Sequence, residues 1–485
     1  MIDQEKIVDD IMLDELEKKV PGCKEYINNT DNKKKRLGML SVLGSNYNRD
    51  YFEGYRSLIV KEKVCAEYIT DIVYTLRNYI GVADTEIKTH GEVMTPLNLV
   101  DKMLDRLPKH VWKNKHLKWL DPANGVGTFP SAIVKRLMEG LKEEIPDSCE
   151  RYQHIVENMI YVVEIQSKNM FLYHCAFDID NTHKLKTFYG SFLSKEFDEH
   201  MKNVWGVDKF DIIIGNPPYQ EQKPGFKKTQ PIWDKFVDKS ISILKDGGYL
   251  NIVHPSGWRN VDGNYKEIQN LLKERDLLFL EMNGTKTGFE TFGVNIEFDY
   301  YILQNTFCDD NFKTEIIDYN KNELNISLRY VPFIPNVDLE LVYSLMAKEG
   351  EEKVNVLHSF SAYETRKLHM SKNKDDEFKY PCAYTIGSKN PNFWYSNKKT
   401  IHFGESKVIW GNGLTDVIID ENGEYGLTQF TYAIVDDKDN LPKIQKALKS
   451  QKFIQNVMGY NKGVGHIYNR KVISTFRKDF WKEFI

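Results

Sequence analysis

The apolar run Phe210-Asp211-Ile212-Ile213-Ile214-Gly215 stops at Asn216-Pro217-Pro218-Tyr219, and no other stretch of the 485 residues limits folding and chemistry so tightly. The run reads as a strand, and the two prolines end it. Each fixes its own φ, and Pro217 pushes Asn216 out of helical space, so the carbonyls of the turn are held in place. The Asn216 side-chain oxygen and the Pro217 carbonyl then form a pair of fixed acceptors. Such a pair suits an amino nitrogen whose lone pair is delocalised, because two accepted hydrogen bonds favour a tetrahedral nitrogen with its lone pair directed at an electrophile. Tyr219 adds a ring on which a flat base swung out of a duplex can stack. Methylation of a planar amino nitrogen is therefore the chemistry these residues suit, with Asn216, Pro217, Pro218 and Tyr219 as catalytic candidates. The plain alternative is a strand that ends in a proline turn.

A second signal lies 95 residues upstream. His116 to Leu120 reads as a short strand running into Asp121-Pro122-Ala123-Asn124-Gly125-Val126-Gly127-Thr128, with a helix expected from Ser131 to Glu143. Strand, glycine loop, helix is the arrangement of a nucleotide cradle. Gly125 and Gly127 let backbone approach a ligand closely, and Asp121 stands at the strand end. Pro130 occupies the place of a third glycine, which argues against a pyrophosphate site.

With these motifs in this order, the chain resembles the gamma-arrangement N6-adenine DNA methyltransferases of the type II restriction-modification kind, from about residue 88 to the C-terminus. The resemblance implies S-adenosylmethionine as cofactor. His90-Gly91-Glu92-Val93-Met94-Thr95-Pro96 looks like the motif that closes over its methionine end, with Thr95 and Pro96 as contacts. Asp121, Ala123, Gly125 and Gly127 match the cofactor loop, and Glu164, at the end of Tyr161-Val162-Val163-Glu164, matches the acid that holds the ribose hydroxyls. Glu164 lies 43 residues after Asp121, against about 20 in a compact dinucleotide unit; a longer helix and loop between Lys142 and Asn158 accounts for the excess. Ser191 and Phe192, in Tyr189-Gly190-Ser191-Phe192-Leu193, stand where the family carries Asp-Phe, so a hydroxyl replaces a stronger carboxylate acceptor. Asn216 is counted with the cofactor contacts as well as the catalytic residues. Phe292 matches the family's second aromatic for the flipped base, with Phe289 in reserve, and Gly247 to Pro255 matches the strand after the catalytic helix. No metal is called for.

The resemblance also implies an α/β chain: a Rossmann-like S-adenosylmethionine-dependent methyltransferase core over 87–330, preceded by a helical region at 1–86 and followed by an α+β target-recognition domain at 331–485. Length alone favours two or three cores. The N-terminal region, with its basic cluster Lys33 to Arg36 and the amphipathic stretch Val64 to Ile80, reads as a cap on the core rather than as a DNA clamp. Strands are expected at Tyr380 to Ile386, Lys407 to Trp410, Asp416 to Ile419 and Thr431 to Val435.

The net charge of −4 conceals a division: residues 341–485 hold 22 Lys and Arg against 17 Asp and Glu, which leaves the rest of the chain at −9. Phosphate attraction is then local. Bases and aromatics alternate in Asn392 to Lys399, Lys407 to Gly413 and Asn461 to Lys471, as nucleic-acid contacts would. The partner expected is double-stranded DNA, with any restriction endonuclease a separate protein and the enzyme a monomer. No apolar run is long enough for a membrane span, and the expected compartment is the cytoplasm. Six scattered cysteines imply neither zinc nor disulfides. An RNA adenine methylase or a protein-glutamine methylase could use the same four residues, and a DNA-specificity subunit without activity is the non-enzymatic alternative.

Overall fold

The computed structural model describes residues 4–28, 30–43, 55, 68–80, 94–221, 229–261, 263–387, 391–411, 416–457 and 468–485. They form two compact units, the first 1–256 with 267–317 and 323–329, the second 257–266 with 318–322 and 330–485.

A nine-stranded sheet organises the first unit. Its strands are β1 (Trp119–Asp121), β2 (Ile160–Glu164), β3 (Lys186–Tyr189), β4 (Phe210–Gly215), β5 (Leu244–Pro255), β6 (Arg275–Asn283), β7 (Phe298–Phe307), β8 (Thr314–Ile317) and β9 (Glu323–Ile326), in the order β9-β8-β6-β7-β5-β4-β1-β2-β3. Strands β3, β2, β1, β4 and β5 are parallel neighbours, and β7 runs antiparallel between β5 and β6. The chain leaves β1 toward β2 and β3, then returns to the other side of β1 with β4. That reversal opens a crevice at the C-terminal ends of β1 and β4, where ligands of such sheets bind. Both motifs of the sequence end at this crevice. Strand β1 begins later than expected, since His116 and Leu117 are outside it and Asp121 inside.

Helix α6 (Thr128–Gly140) follows the glycine loop and starts three residues before the expected Ser131. Pro130 does not delay it, because N–H groups in a first turn have no intrahelical partner to lose. Among the described residues, the helices α1 (Gln4–Lys19), α2 (Cys23–Asn28), α3 (Asn32–Leu43) and α4 (Ile69–Ile80) precede α5 (Leu97–Asp105). Val8, Met12, Leu13 and Leu16 line one face of α1 at helical spacing and are fully buried. That face packs on α7 (Ser167–Phe177), while α4 packs on α6 and α7. The basic cluster is spoken for: Lys33 reaches Asp180, Lys34 Asp31 and Lys35 Asp10, and Arg36 is fully buried between Glu5 and Asp9. Charge here fastens helices together.

In the second unit, β10 (Asn355–Leu357), β14 (Lys407–Gly411), β15 (Val417–Asp420) and β17 (Thr431–Val435) make a sheet in the order β10-β17-β14-β15. A second sheet, ordered β11-β13-β12-β16, consists of β11 (Met370–Ser371), β12 (Tyr380–Thr385), β13 (Asn392–Ser396) and β16 (Gly426–Leu427). Lys407 and Trp410, expected among the DNA contacts, are instead fully buried, with Lys407 Nζ 2.6 Å from Asp420 Oδ2. Residues 412–413 and 461–467 of the other basic-aromatic segments lie outside the described residues, as do 90–93 of the upstream motif.

Candidate active site

A cavity of about 270 Å³ occupies the crevice. Ala123 and Gly125 line it from the β1 loop, Glu164 from the end of β2, Ser191 and Phe192 from the segment after β3, and Asn216 and Pro218 from the end of β4; Thr95 closes it from the strand-free segment before α5. Eight of the residues named from the sequence thus share one wall. Thr95 and Asn216, 121 residues apart, are joined directly, Asn216 Nδ2 donating to Thr95 Oγ1 at 3.1 Å. That bond fixes the side chain through its amide nitrogen, and the amide oxygen is its acceptor group.

Glu164 is fixed from two sides. Its carboxylate accepts from Gly125 N–H at 2.7 Å and from Gln166 N–H at 2.8 Å, so the acid that ends β2 also ties down the glycine loop. Gly125 and Gly127 both take left-handed φ, +56° and +96°. Gly127 is needed for space as well: a Cβ there would lie 2.9 Å from the rings of Tyr173 and Phe177.

Six of the expected residues are placed otherwise. Asp121 is buried beneath the loop, off the cavity wall, where its Oδ1 accepts from Ala123 N–H at 3.1 Å and Oδ2 meets no partner among the described residues. It is a positioning residue: a Cβ on Gly215 would fall 2.8 Å from Asp121 Oδ1, so the glycine that ends β4 lets the ends of β1 and β4 close on each other. Phe292, in α9 (Thr285–Phe292), does not line the cavity; its ring meets Phe298 edge-on at 4.9 Å, while Phe289 on the same helix is the exposed one. Tyr219 is buried too, and burial pushes its phenol far above the usual range, against the pull of the neighbouring Asn216 side chain. Pro217, Pro96 and Gly127 lie off the wall with them.

Several wall residues carry no sequence signal. Gln166 and Asn169 come from the start of α7, Glu221 from the two-residue ladder Gln220–Glu221 with Gln230–Pro231, and Phe236 from α8 (Trp233–Ser242), where it stacks on Phe192 at 5.2 Å. Arg77, on α4, donates to the Thr95 carbonyl at 3.0 Å and so links the N-terminal helices to the cavity rim. The donor set suits an adenosine-bearing ligand: Phe129, Ile165, Phe192 and Phe236 give apolar walls for a flat ring, and the Glu164 carboxylate gives an acceptor for hydroxyls.

Burial pushes the Asp121 carboxyl up to about 7 from 3.8, against the lowering pull of the Ala123 amide. The folded protein therefore keeps this proton where the unfolded chain has released it. The resulting stabilisation is complete below about pH 4 and lost as pH rises through 7, and is on the order of 4 kcal/mol. Asp121→Asn is expected to remove this dependence, so that the variant gains in melting temperature over the parent at pH 8 relative to pH 5. An equal difference at both pH values would contradict the raised carboxyl.

Residues 132–286 match the model of the Eco57I restriction-modification methylase family. An uncharacterized adenine-specific methylase of Mycoplasma pneumoniae is 25% identical over 321 residues, covering 49% of this chain and 75% of that protein. The type II methyltransferase M.BstVI of Geobacillus stearothermophilus is 27% identical over 201 residues, 36% of this chain and 34% of the relative. Among solved structures, a nuclease-deletion mutant of the type ISP restriction-modification enzyme LlaGI in complex with a DNA substrate mimic aligns with 99% of this chain and 57% of its own at 12% identity and a TM-score of 0.48. The matches span three-quarters of the first relative, about a third of the second and just over half of the solved chain. The family match over residues 132–286, the two sequence relatives and the order of the motifs around this cavity make this part of the chain similar to the Eco57I restriction-modification methylases, a likeness that carries S-adenosylmethionine as the cofactor.

Proposed function

We propose that the chain methylates the exocyclic N6 amino group of an adenine flipped out of duplex DNA at a specific site. The observation that carries this reading is the Asn216–Thr95 hydrogen bond, which sets the Asn-Pro-Pro turn at the edge of the cavity floored by the glycine loop and Glu164. S-adenosylmethionine, when bound, supplies the electrophilic methyl group. The chain supplies the rest. Asn216 Oδ1 and the Pro217 carbonyl accept the two amino hydrogens and return electron density to the nitrogen, and Pro218 holds the turn. Glu164 receives the ribose hydroxyls, Ser191 and Phe192 border the adenine of the cofactor, and Thr95, Ala123 and Gly125 bound its remaining length, with Pro96, Asp121 and Gly127 supporting them. Alignment of nitrogen and methyl group provides much of the rate.

Tyr219, next to the turn, is the stacking ring and becomes uncovered when a base enters; Phe289, exposed on α9, is a better candidate for the second face than Phe292. Residues 331–485 carry target recognition, the protein acts as a monomer in the cytoplasm, and any cognate endonuclease is a separate chain. No helix among the described residues is long and apolar enough to cross a membrane.

Competition among substrates tests the reading. With labelled S-adenosylmethionine and equal amounts of unmethylated duplex DNA, structured RNA and a glutamine-bearing protein, label is expected in the DNA adenines. Label in RNA or protein would overturn the choice of substrate, and no label in any of them would favour a specificity subunit.

A further inference from the structure

Thr95 is held at three points, and one of the three comes from the N-terminal helices. Its side-chain oxygen accepts from Asn216 Nδ2 at 3.1 Å. Pro96 follows it and restricts its backbone to extended conformations. That proline is the N-cap of α5, and its own carbonyl accepts from Leu99 N–H at 3.0 Å and Val100 N–H at 3.2 Å. The first bonds of α5 are thus made one residue beyond Thr95, and the Thr95 carbonyl stays outside the helical ladder. Arg77 meets it there, with Nη1 donating at 3.0 Å. A guanidinium donor makes this a charge-assisted bond, stronger than one between neutral groups. Arg77, Thr95 and Asn216 all belong to the first unit.

The footing of Arg77 gives that bond its meaning. Ile69, Ile72, Val73 and Leu76 recur at helical spacing on α4 and are buried, and α4 packs on α6 and α7. Those helices follow the glycine loop and the strand that ends at Glu164. Arg77 therefore ties the Thr95 rim of the cavity to the frame that carries its cofactor wall. Attachment of the N-terminal helices does not require this bond, because α1 already packs on α7 and Arg36 already donates to the Asp178 carbonyl. Fixing the Thr95 carbonyl fixes the direction of Thr95 Oγ1, and that oxygen holds the Asn216 amide.

We propose that Arg77, itself off the cavity wall, is a positioning residue for methyl transfer, acting through Thr95 on the side chain of Asn216. The proposal rests on Asn216 holding the reacting amino nitrogen. Misplacement of a reacting group by about 1 Å costs up to about 100-fold, so Arg77→Ala is expected to lower single-turnover methylation of unmethylated genomic DNA roughly tenfold, counted per bound cofactor. Affinity for S-adenosylmethionine should stay close to that of the parent. Arg77→Lys, which keeps a cationic donor, should recover part of the rate. Thr95→Val removes the hydroxyl and keeps the shape; in that background Arg77→Ala should have little further effect, since the path to Asn216 is already cut.

An Arg77→Ala variant with the parent rate would overturn the proposal. So would the same loss repeated in full on the Thr95→Val background, or a fall in cofactor affinity that accounts for the fall in rate, either of which would make Arg77 a support of the fold alone. If alanine prevents folding, Arg77→Gln, which keeps an amide donor, carries the same comparison. A parent chain that binds S-adenosylmethionine and methylates no DNA would overturn the reading of the Asn216 site itself, a failure seen in the parent and so distinct from any result on the variants.

Discussion

Replacing Asn216 with alanine is expected to lower the rate of methyl transfer by roughly 100- to 1000-fold or more while leaving S-adenosylmethionine binding nearly intact, the size of loss seen when one fixed hydrogen-bond group is removed from a reacting centre. The geometry makes this separation of effects possible. Glu164, Gly125 and the apolar walls hold their positions through contacts that do not involve Asn216: the Glu164 carboxylate is tied to Gly125 and Gln166, and Phe192 to Phe236. What alanine removes is the acceptor at the end of β4 and the bond to Thr95. Single-turnover transfer and equilibrium cofactor binding measured on the same preparation decide the matter. Loss of both would make Asn216 a holder of the cofactor or of the fold. Loss of neither would leave the amino group without its partner.

The second large effect is on stability. Arg36 is fully buried, 2.8 Å from Glu5 and 3.0 Å from Asp9, and its guanidinium also donates to the Asp178 carbonyl. Arg36→Met is expected to cost about 3–5 kcal/mol, because two buried carboxylates lose their counter-ion. Chemical denaturation should show this as a lower midpoint. Adding Glu5→Gln and Asp9→Asn to the same chain removes the stranded charges and should recover most of the loss, as apolar or neutral replacements of whole buried ion groups often do. If the single variant were as stable as the parent, the packing of α1 and α3 would not depend on the triad. A triple variant no better than the single one would shift the cause from charge to packing.

How far the chain can be read without its structure depends on whether a signal is local. The strand before Asn216 and the loop after Asp121 were legible because apolar runs, prolines and glycines act on their immediate neighbours, and β4 and the left-handed Gly125 and Gly127 follow from them. An α/β core was expected from the sequence, but its strand order, with the antiparallel β7 between β5 and β6, was not. Residues that reach the cavity from elsewhere were not legible. Arg77 approaches Thr95 from a separate helix, and Gln166, Asn169 and Glu221 obey no periodicity that marks them as wall residues.

The misreadings have a common cause, which is that type and spacing do not report burial. Lys407 and Trp410 looked like a basic-aromatic contact, yet Lys407 faces Asp420 across paired strands, in register with it, and the pair closes on itself inside the core. Lys33 to Arg36 were read with the rest of their region as a cap on the core, but their partners could not be named from the sequence: acids on α1 and elsewhere in the same unit answer Lys33, Lys35 and Arg36. Phe292 and Phe289, three residues apart on one helix, could be ranked only by what each ring meets, and Phe298 takes Phe292. Asp121 had the right position in the motif, but only the fold shows its carboxyl turned under the loop toward Gly215 rather than into the cavity.

The most direct test is to incubate the purified chain with S-adenosylmethionine and unmethylated genomic DNA, then map N6-methyladenine by single-molecule sequencing. One enriched sequence motif bearing the modification is the predicted result. Unmodified adenine throughout, from a preparation shown to bind S-adenosylmethionine, would contradict the assignment of duplex DNA to the Asn216 site.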